Sequence, residues 1–285
     1  MKNYKIFLLA FSTTDLKLTI NRFEDQAKHS KYFSDIKIFT NKSIDNFLKK
    51  KINVIRKSSG DRGYGYWIWK PYLILNEINN LDKDDIIIYL DIGCHIISDR
   101  KKRFDEYLNF LRKGNDILGF QYFHPSEKSF EKIKFPKREE YKYTKADLFK
   151  YFNFLNNEKV FKTPQFWAGC IFFKKTDFSV SFLQEWIKVY ENFSLIDDSP
   201  SKEKNFNNFI ENRHDQSVYS LLCKKYNVKS LSAFECDWAE DQYGRNWDYT
   251  SKSPILAKRD LQYSIFKRFF NRQKKNLKRI FNKYI

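Results

Sequence analysis

Long apolar runs, clustered cysteines and acidic residues are what this 285-residue chain has least of. No segment approaches the roughly 20 consecutive apolar residues that span a bilayer as a helix, so an integral membrane protein is not expected. Its four cysteines, Cys94, Cys170, Cys223 and Cys236, lie far apart, with no CxxC pair and no His-rich spacing. That excludes a zinc-binding framework and leaves reduced thiols in a cytoplasmic protein as the simplest reading. There is no glycine–lysine phosphate loop, no RNP-type motif and no internal repeat. The opening MKNYKIFLLAFSTTD has too brief an apolar run for a secretory signal and no clear small-x-small cleavage site, and a first β-strand over Tyr4 to Phe11 explains it better. The shortage of acid, 35 Asp and Glu against 53 Lys and Arg, leaves a net charge of +18. Such a balance favours an anionic partner: nucleotide phosphates, acidic lipid or nucleic acid.

What the sequence does have is centred on DDIIIYLDIGCHI, residues 84–96. Ile86 to Leu90 form a β-rich apolar run of the length of a central strand covered on both faces. Asp91 falls at its carboxyl end, where ligands collect in open α/β sheets. Gly93 leaves room for a large ligand to approach the backbone, and an acid beside it suits a divalent cation carrying phosphates. Upstream, DRGYGYWIWKPYLILNEINNL is an aromatic and glycine loop leading into a helix. Pro71 is well placed near the helix start, and Leu73, Ile74, Glu77 and Ile78 give an amphipathic repeat. Lys70 then lies at the helix entrance, where its ammonium and free backbone donors can meet a diphosphate. Arg62 with Tyr64, Tyr66, Trp67 and Trp69 is either a nucleotide or sugar platform or a packed aromatic loop.

Strands and helices alternate along the rest. Helices are expected over 15–31, 43–50, 101–113, 145–157, 176–193 and 213–226, with strands at 35–40, 53–55, 116–121 and 165–175. This rhythm predicts an α/β fold with a mostly parallel central sheet flanked by helices. Thr176 or Asp177 is expected to cap its helix. Residues 122–164 break the rhythm and are expected to fold over a site as an acceptor-side insertion. Residues 197–212 read as a surface loop, and His214 as a surface histidine. One domain over 1–260 and a tail over 261–285 are expected.

Three blocks in order, WKPYLILNEINNLDKDDIIIYLDIG, QFWAGCIFFKKT and RHDQSVYSLL, resemble the nucleotide-sugar glycosyltransferases of the GT-A fold. The likeness is to bacterial capsule and lipopolysaccharide sugar transferases and the wider family 8 and 32 group. It spans roughly residues 60–230. The resemblance implies a Rossmann-like GT-A sheet, a nucleoside diphosphate sugar donor (a UDP-sugar favoured) and transfer to a cell-surface polysaccharide or lipid-linked glycan, with a lean toward retention. Asp91 matches the first acid of the family's DxD, which holds Mn²⁺ or Mg²⁺ on the donor diphosphate, while Gly93 stands where the second acid belongs. Ala168 and Gly169 match the turn against the donor sugar, where a missing side chain allows close approach. Asp215 would bind sugar hydroxyls and Gln216 would lie near the anomeric carbon, with Lys70 and Arg62 answering the charge of the diphosphate. Asp215 read without the resemblance is a helix N-cap. The missing second acid also motivates a rival, a non-catalytic relative that binds a nucleotide sugar or glycan. His95, just past the strand, is a poor substitute for that acid because hard cations prefer oxygen.

Trp238, Trp247 and Tyr249 are aromatic faces of the kind sugars stack on, or else core. The last segment, LQYSIFKRFFNRQKKNLKRIFNKYI, carries eight positive charges from Lys267 onward and no acid, with apolar residues at helical spacing. As a basic amphipathic helix, residues 262–285 would lie on an anionic membrane surface, or dock as a solvated helix on the domain. The expectation is a cytoplasmic enzyme, peripheral on the inner face of the cytoplasmic membrane, with no nucleic-acid partner.

Overall fold

A computed structural model describes residues 4–125 and 133–262. The basic helix expected over 262–285 therefore lies, from 263 on, outside the described residues. The chain starts with β1 (Ile6–Ser12), α1 (Lys17–Ser30), β2 (Asp35–Thr40) and α2 (Asn46–Ser59). The one-turn segment α3 (Gly63–Tyr66) leads into α4 (Trp69–Asn79), β3 (Ile86–Leu90), the short β4 (His95–Ile96), α5 (Lys101–Arg112) and β5 (Ile117–Gln121). Three short helices follow, α6 (Glu140–Tyr143), α7 (Ala146–Tyr151) and α8 (Glu158–Phe161), then β6 (Cys170–Lys174), α9 (Asp177–Val189) and α10 (Asp215–Lys225). The described chain closes with β7 (Ser230–Ser232), the hairpin β8 (Ala239–Asp241) and β9 (Gly244–Asn246), and β10 (Ile255–Leu256), which pairs with β4.

Six strands form one sheet in the order β2-β1-β3-β6-β5-β7. All run the same way except β6, which is antiparallel to both neighbours. The sheet is thus mostly parallel, with helices on both faces, as the alternating pattern predicts. Strand β3 shows why. Its five residues are all buried, Ile87 and Tyr89 joining the core under α2, α4, α9 and α10, and Ile86, Ile88 and Leu90 joining the core under α1 and α5. A strand with water on neither side needs apolar residues at every position, and burying each Ile or Leu is worth about 1.5–3 kcal/mol.

Two expected elements differ. The strand at 53–55 does not form, because Leu48, Ile52 and Ile55 recur at helical spacing and bury one face of α2, leaving Val54 exposed. The β-branched pair gave a β signal that burial at a 3.6-residue period overrides. The helix expected over 145–157 forms only as α7 and stops at Tyr151, ahead of Asn153, whose φ of 59° no α-helix accommodates, and α8 begins beyond the expected span. Thr176 is the cap of α9, accepting the Ser179 N–H at 3.2 Å. Replacing Ile88, fully buried at the sheet centre, with alanine should cost about 2–5 kcal/mol in urea unfolding without a change in m-value. A loss below about 1 kcal/mol would place β3 elsewhere than the core.

Candidate active site

The antiparallel pairing of β3 with β6 creates the site. Register Leu90↔Cys170 sets the carboxyl end of β3 beside the start of β6, and the Asp91 N–H bonds the Gly169 carbonyl at 2.9 Å. Residues 78 positions apart in sequence become neighbours. The first turns of α4 and α10 reach the same end of the sheet and bring Lys70 and Asp215. A cleft of about 920 Å³ opens there, and it is lined by Arg62, Lys70, Asp91, Gly93, Ala168, Gly169, Asp215 and Gln216. Every residue singled out from the sequence as donor-binding or catalytic is on its wall.

On the cleft wall, Lys70 is 2% exposed. It donates to Asp215 Oδ2 at 2.5 Å and to the Ala168 carbonyl at 3.0 Å, and stands 3.4 Å from Asp91 Oδ1. Its charge is therefore spent on two carboxylates, and it meets a ligand only as part of that group. Burial pulls the ammonium down, but Asp215 and then Asp91 outweigh it, so its pKa stands above the ordinary value. Burial also pushes the Asp215 carboxyl up to about 6, against the opposing pull of Lys70 and with a further push from Asp91. Asp215 is the first residue of α10 and the cap position belongs to His214; its carboxylate takes Lys70 and also meets the Gln216 backbone N–H in the first turn. Asp91, with a side chain 42% exposed, faces the cleft and accepts the Tyr89 hydroxyl at 2.8 Å.

Gln216 donates to Gln165 Oε1 at 2.8 Å. Gln165 in turn donates to Glu140 Oε1 at 2.9 Å, and Glu140, fully buried, takes Lys224 at 2.6 Å together with Thr144 and Ser220. This chain of polar groups ties the insertion 122–164 to α10 and fixes the Gln216 amide. A buried network of this kind is stable only when each member is satisfied.

The glycines act differently from the expectation. A Cβ on Gly169 would lie 2.4 Å from Trp167 Nε1, so the space freed there is filled by the Trp167 indole and is not left open for a sugar. A Cβ on Gly93 would lie 3.1 Å from Arg259 Cα, so that space is taken by the chain after β10. Ala168 is 1% exposed and contributes its carbonyl to Lys70.

The rim is built from 62–67. Arg62 is half-exposed, with Asp198 at 3.0 Å and Glu211 at 3.7 Å. All five residues from Gly63 to Trp67 have positive φ, Tyr64, Tyr66 and Trp67 as well as the two glycines. A left-handed run costs about 1–2 kcal/mol for each non-glycine residue, and such strain persists where the surroundings hold it. Here Trp69 Nε1 donates to the Gly63 carbonyl at 3.1 Å and Trp67 stacks on His214 at 5.5 Å. His214 is consequently buried, not a surface residue: it meets the Ile196 carbonyl through Nδ1 at 2.5 Å. Trp69 is buried while Trp67 is half-buried, and both line the cleft. Sequence reasoning missed Trp167, Arg213 and Arg259 on the cleft wall. Trp167 was legible within QFWAGC; the two arginines carry no local signal.

The described residues do not by themselves form a cage for a divalent cation. Among the described residues no three His, Cys, Asp or Glu side chains are grouped to hold a metal ion. Asp91 offers one carboxylate, which accepts from Tyr89 and lies beside an ammonium, so a hard cation held there would draw its other oxygens from the donor's phosphates and water. His95 is bonded to Gln26 at 3.1 Å and Asp260 at 3.2 Å.

No family model matches this chain, and no curated protein matches it in sequence. Solved structures do match in chain trace, glycosyltransferases among them. Mouse xyloside xylosyltransferase 1, in its apo form, is 13% identical with a TM-score of 0.42, over 82% of this chain and 86% of that one. The apo bifunctional glycosyltransferase WbbM is 13% identical with a TM-score of 0.42, over 83% of this chain and 40% of that one. A glycosyltransferase involved in glycosylation of the major capsid of PBCV-1 is 9% identical with a TM-score of 0.39, over 90% and 92%.

The raised Asp215 pKa has a signed consequence. Between its ordinary 3.8 and about 6, the folded protein keeps a proton that the unfolded chain has released. This group therefore contributes stability that is fully present below 3.8 and is lost as pH rises through about 6. Measured against Asp215→Asn, wild type should gain on the order of 1 kcal/mol on going from about pH 7.5 to about pH 5. A difference that is flat with pH, or that moves the other way, contradicts the assignment.

Proposed function

We propose that this chain is a nucleotide-sugar-dependent glycosyltransferase that moves a sugar, from a UDP-sugar by preference, to a cell-surface polysaccharide or lipid-linked glycan. The observation that carries the reading is the convergence of Lys70, Asp91, Asp215 and Gln216 in one cleft at the carboxyl end of a mostly parallel sheet. A cleft of about 920 Å³ has the size of a small-molecule site.

In the proposed reaction the bond from the anomeric carbon to the diphosphate breaks, and its electron pair leaves on the diphosphate oxygen. The acceptor hydroxyl oxygen bonds the anomeric carbon, and its proton passes to the departing diphosphate, which suits retention of configuration. Positive charge grows on the sugar as the first bond breaks. Asp215, held by Lys70, and Gln216, held by Gln165, orient the sugar and favour that charge. Asp91 stands at the edge of the same group, exposed to the donor. A fixed charge or dipole of this type is worth about 3 kcal/mol, on the order of a hundredfold in rate. Arg62 and the Trp67–Trp69 rim would take the nucleotide end.

The basic segment 262–285 adds a second element to the proposal. Its eight cations and apolar spacing suit adsorption to an anionic membrane, which would place the enzyme at the inner face of the cytoplasmic membrane beside a lipid-linked acceptor. No helix among the described residues is long and apolar enough to cross a membrane.

Incubation with a panel of UDP-sugars should give slow donor hydrolysis, reduced on the order of a hundredfold by Asp91→Ala with little change in unfolding temperature. Binding of a nucleotide sugar with no turnover across the panel would instead make the chain a non-catalytic relative.

A further inference from the structure

With Lys70 committed to two aspartates and Arg62 paired at the rim, the charge that develops on a departing diphosphate needs another cation. The chain after β10 provides one. Residues 257–262 cross the Asp91–Gly93 turn as a strap. The Asp260 N–H bonds the Gly93 carbonyl at 3.1 Å, and the Gln262 N–H bonds Thr19 Oγ1 at 2.6 Å. Arg22 staples the two segments together, donating to Cys94 O at 2.7 Å, Ile92 O at 2.9 Å and Asp260 O at 3.3 Å. His95 meets the Asp260 carboxylate on the far side at 3.2 Å.

This strap explains why position 93 has no side chain. An ideal Cβ there would stand 3.1 Å from Arg259 Cα and 3.3 Å from its carbonyl carbon, both backbone atoms that cannot swing away. A side chain at 93 would press on the strap, which would have to give by a few tenths of an ångström. The strap also holds Arg259 at φ 54°, a conformation a non-glycine residue adopts at a cost. Its side chain is 64% exposed and lines the cleft. Among the described residues Arg259 has one long ion pair, 4.0 Å to Asp237, and Asp237 has nearer partners in the Tyr122 hydroxyl at 3.0 Å and Arg138 at 3.5 Å. A guanidinium carried on strained backbone, weakly neutralised and open to the cleft is suited to a bidentate anion.

We propose that Arg259, delivered over Gly93 by this strap, supplies the positive charge that receives the donor's diphosphate, in place of a divalent cation held by the protein. The inference rests on the glycosyltransferase reading above and adds no covalent step to it. It replaces the metal expected from the DxD resemblance with a residue of this chain. It also ties the bare backbone at Gly93 to the close approach of the strap.

The test is the unfolding temperature and binding isotherm of the full chain with UDP, GDP, CDP and ADP, each in excess EDTA and each with Mn²⁺. At least one nucleoside diphosphate should bind with the same affinity, within about twofold, in both conditions. Arg259→Gly relieves the strained φ, so it should fold at least as well as wild type while weakening that diphosphate by about tenfold or more, and Arg259→Lys should recover part of the loss. The free nucleoside should bind both variants as it binds wild type. Binding that appears only with Mn²⁺ overturns the inference and leaves the proposed function standing. Metal-free binding that Arg259→Gly does not weaken overturns the assignment of Arg259. If no nucleoside diphosphate binds in either condition, the donor-site reading falls, and this inference with it.

Discussion

One buried ammonium organises the site. Lys70 sits on the first turn of α4, almost without solvent, and holds a carboxylate from the start of α10, a carboxylate from the end of β3 and a carbonyl from the turn before β6. Removing a lysine from water costs several kcal/mol, and only close opposite charge with further hydrogen bonds offsets it. Each of the three segments must therefore arrive at a fixed place for the fold to tolerate the lysine at all. The same requirement positions Asp91 and Asp215 toward one cleft.

Everything around this group works to keep the geometry from relaxing. The reversed strand β6 sets register between the Asp91 turn and Ala168–Gly169. Glu140 and Gln165 link the insertion to Gln216 from the opposite side. The left-handed run at Tyr64–Trp67 is paid for by packing on His214 and by the Trp69 indole. Two glycines are then explained by what crowds them: Gly169 by the Trp167 ring and Gly93 by the backbone of Arg259. The site is dense, and its openness to ligand is confined to the cleft between rim and strap.

Much of this was legible in the residues. The two-faced burial of Ile86–Leu90 follows from an unbroken apolar run, and the mostly parallel sheet from the alternation of strands and helices. Lys70 and Asp91 stood out because charged groups lie at the ends of apolar elements, whereas Asp215 and Gln216 stood out only through the resemblance of RHDQSVYSLL to the glycosyltransferase blocks. What could not be read was partnership across the sequence. Nothing near Lys70 announces that its partner is Asp215, 145 positions later, and His214 looks like a surface residue until Trp67 is seen against it. The 53–55 strand failed because β-branching is a weaker signal than helical burial period. The role of Gly93 was misread because the segment that occupies its missing side chain lies 166 positions downstream. Local composition reports how a residue prefers to sit; it does not report what will be brought against it.

The most direct test of the Lys70–Asp215 pair is a double-mutant cycle in urea unfolding, using Lys70→Met, Asp215→Leu and both together. Each single change takes the nearest partner from a buried charge and should cost about 3–5 kcal/mol. The double variant, having no charge left to strand, should be more stable than the sum of the two losses by about 2 kcal/mol or more. Losses that add to within about 0.5 kcal/mol would mean that the two groups do not meet in the folded protein, and the account of the site built on them would be wrong.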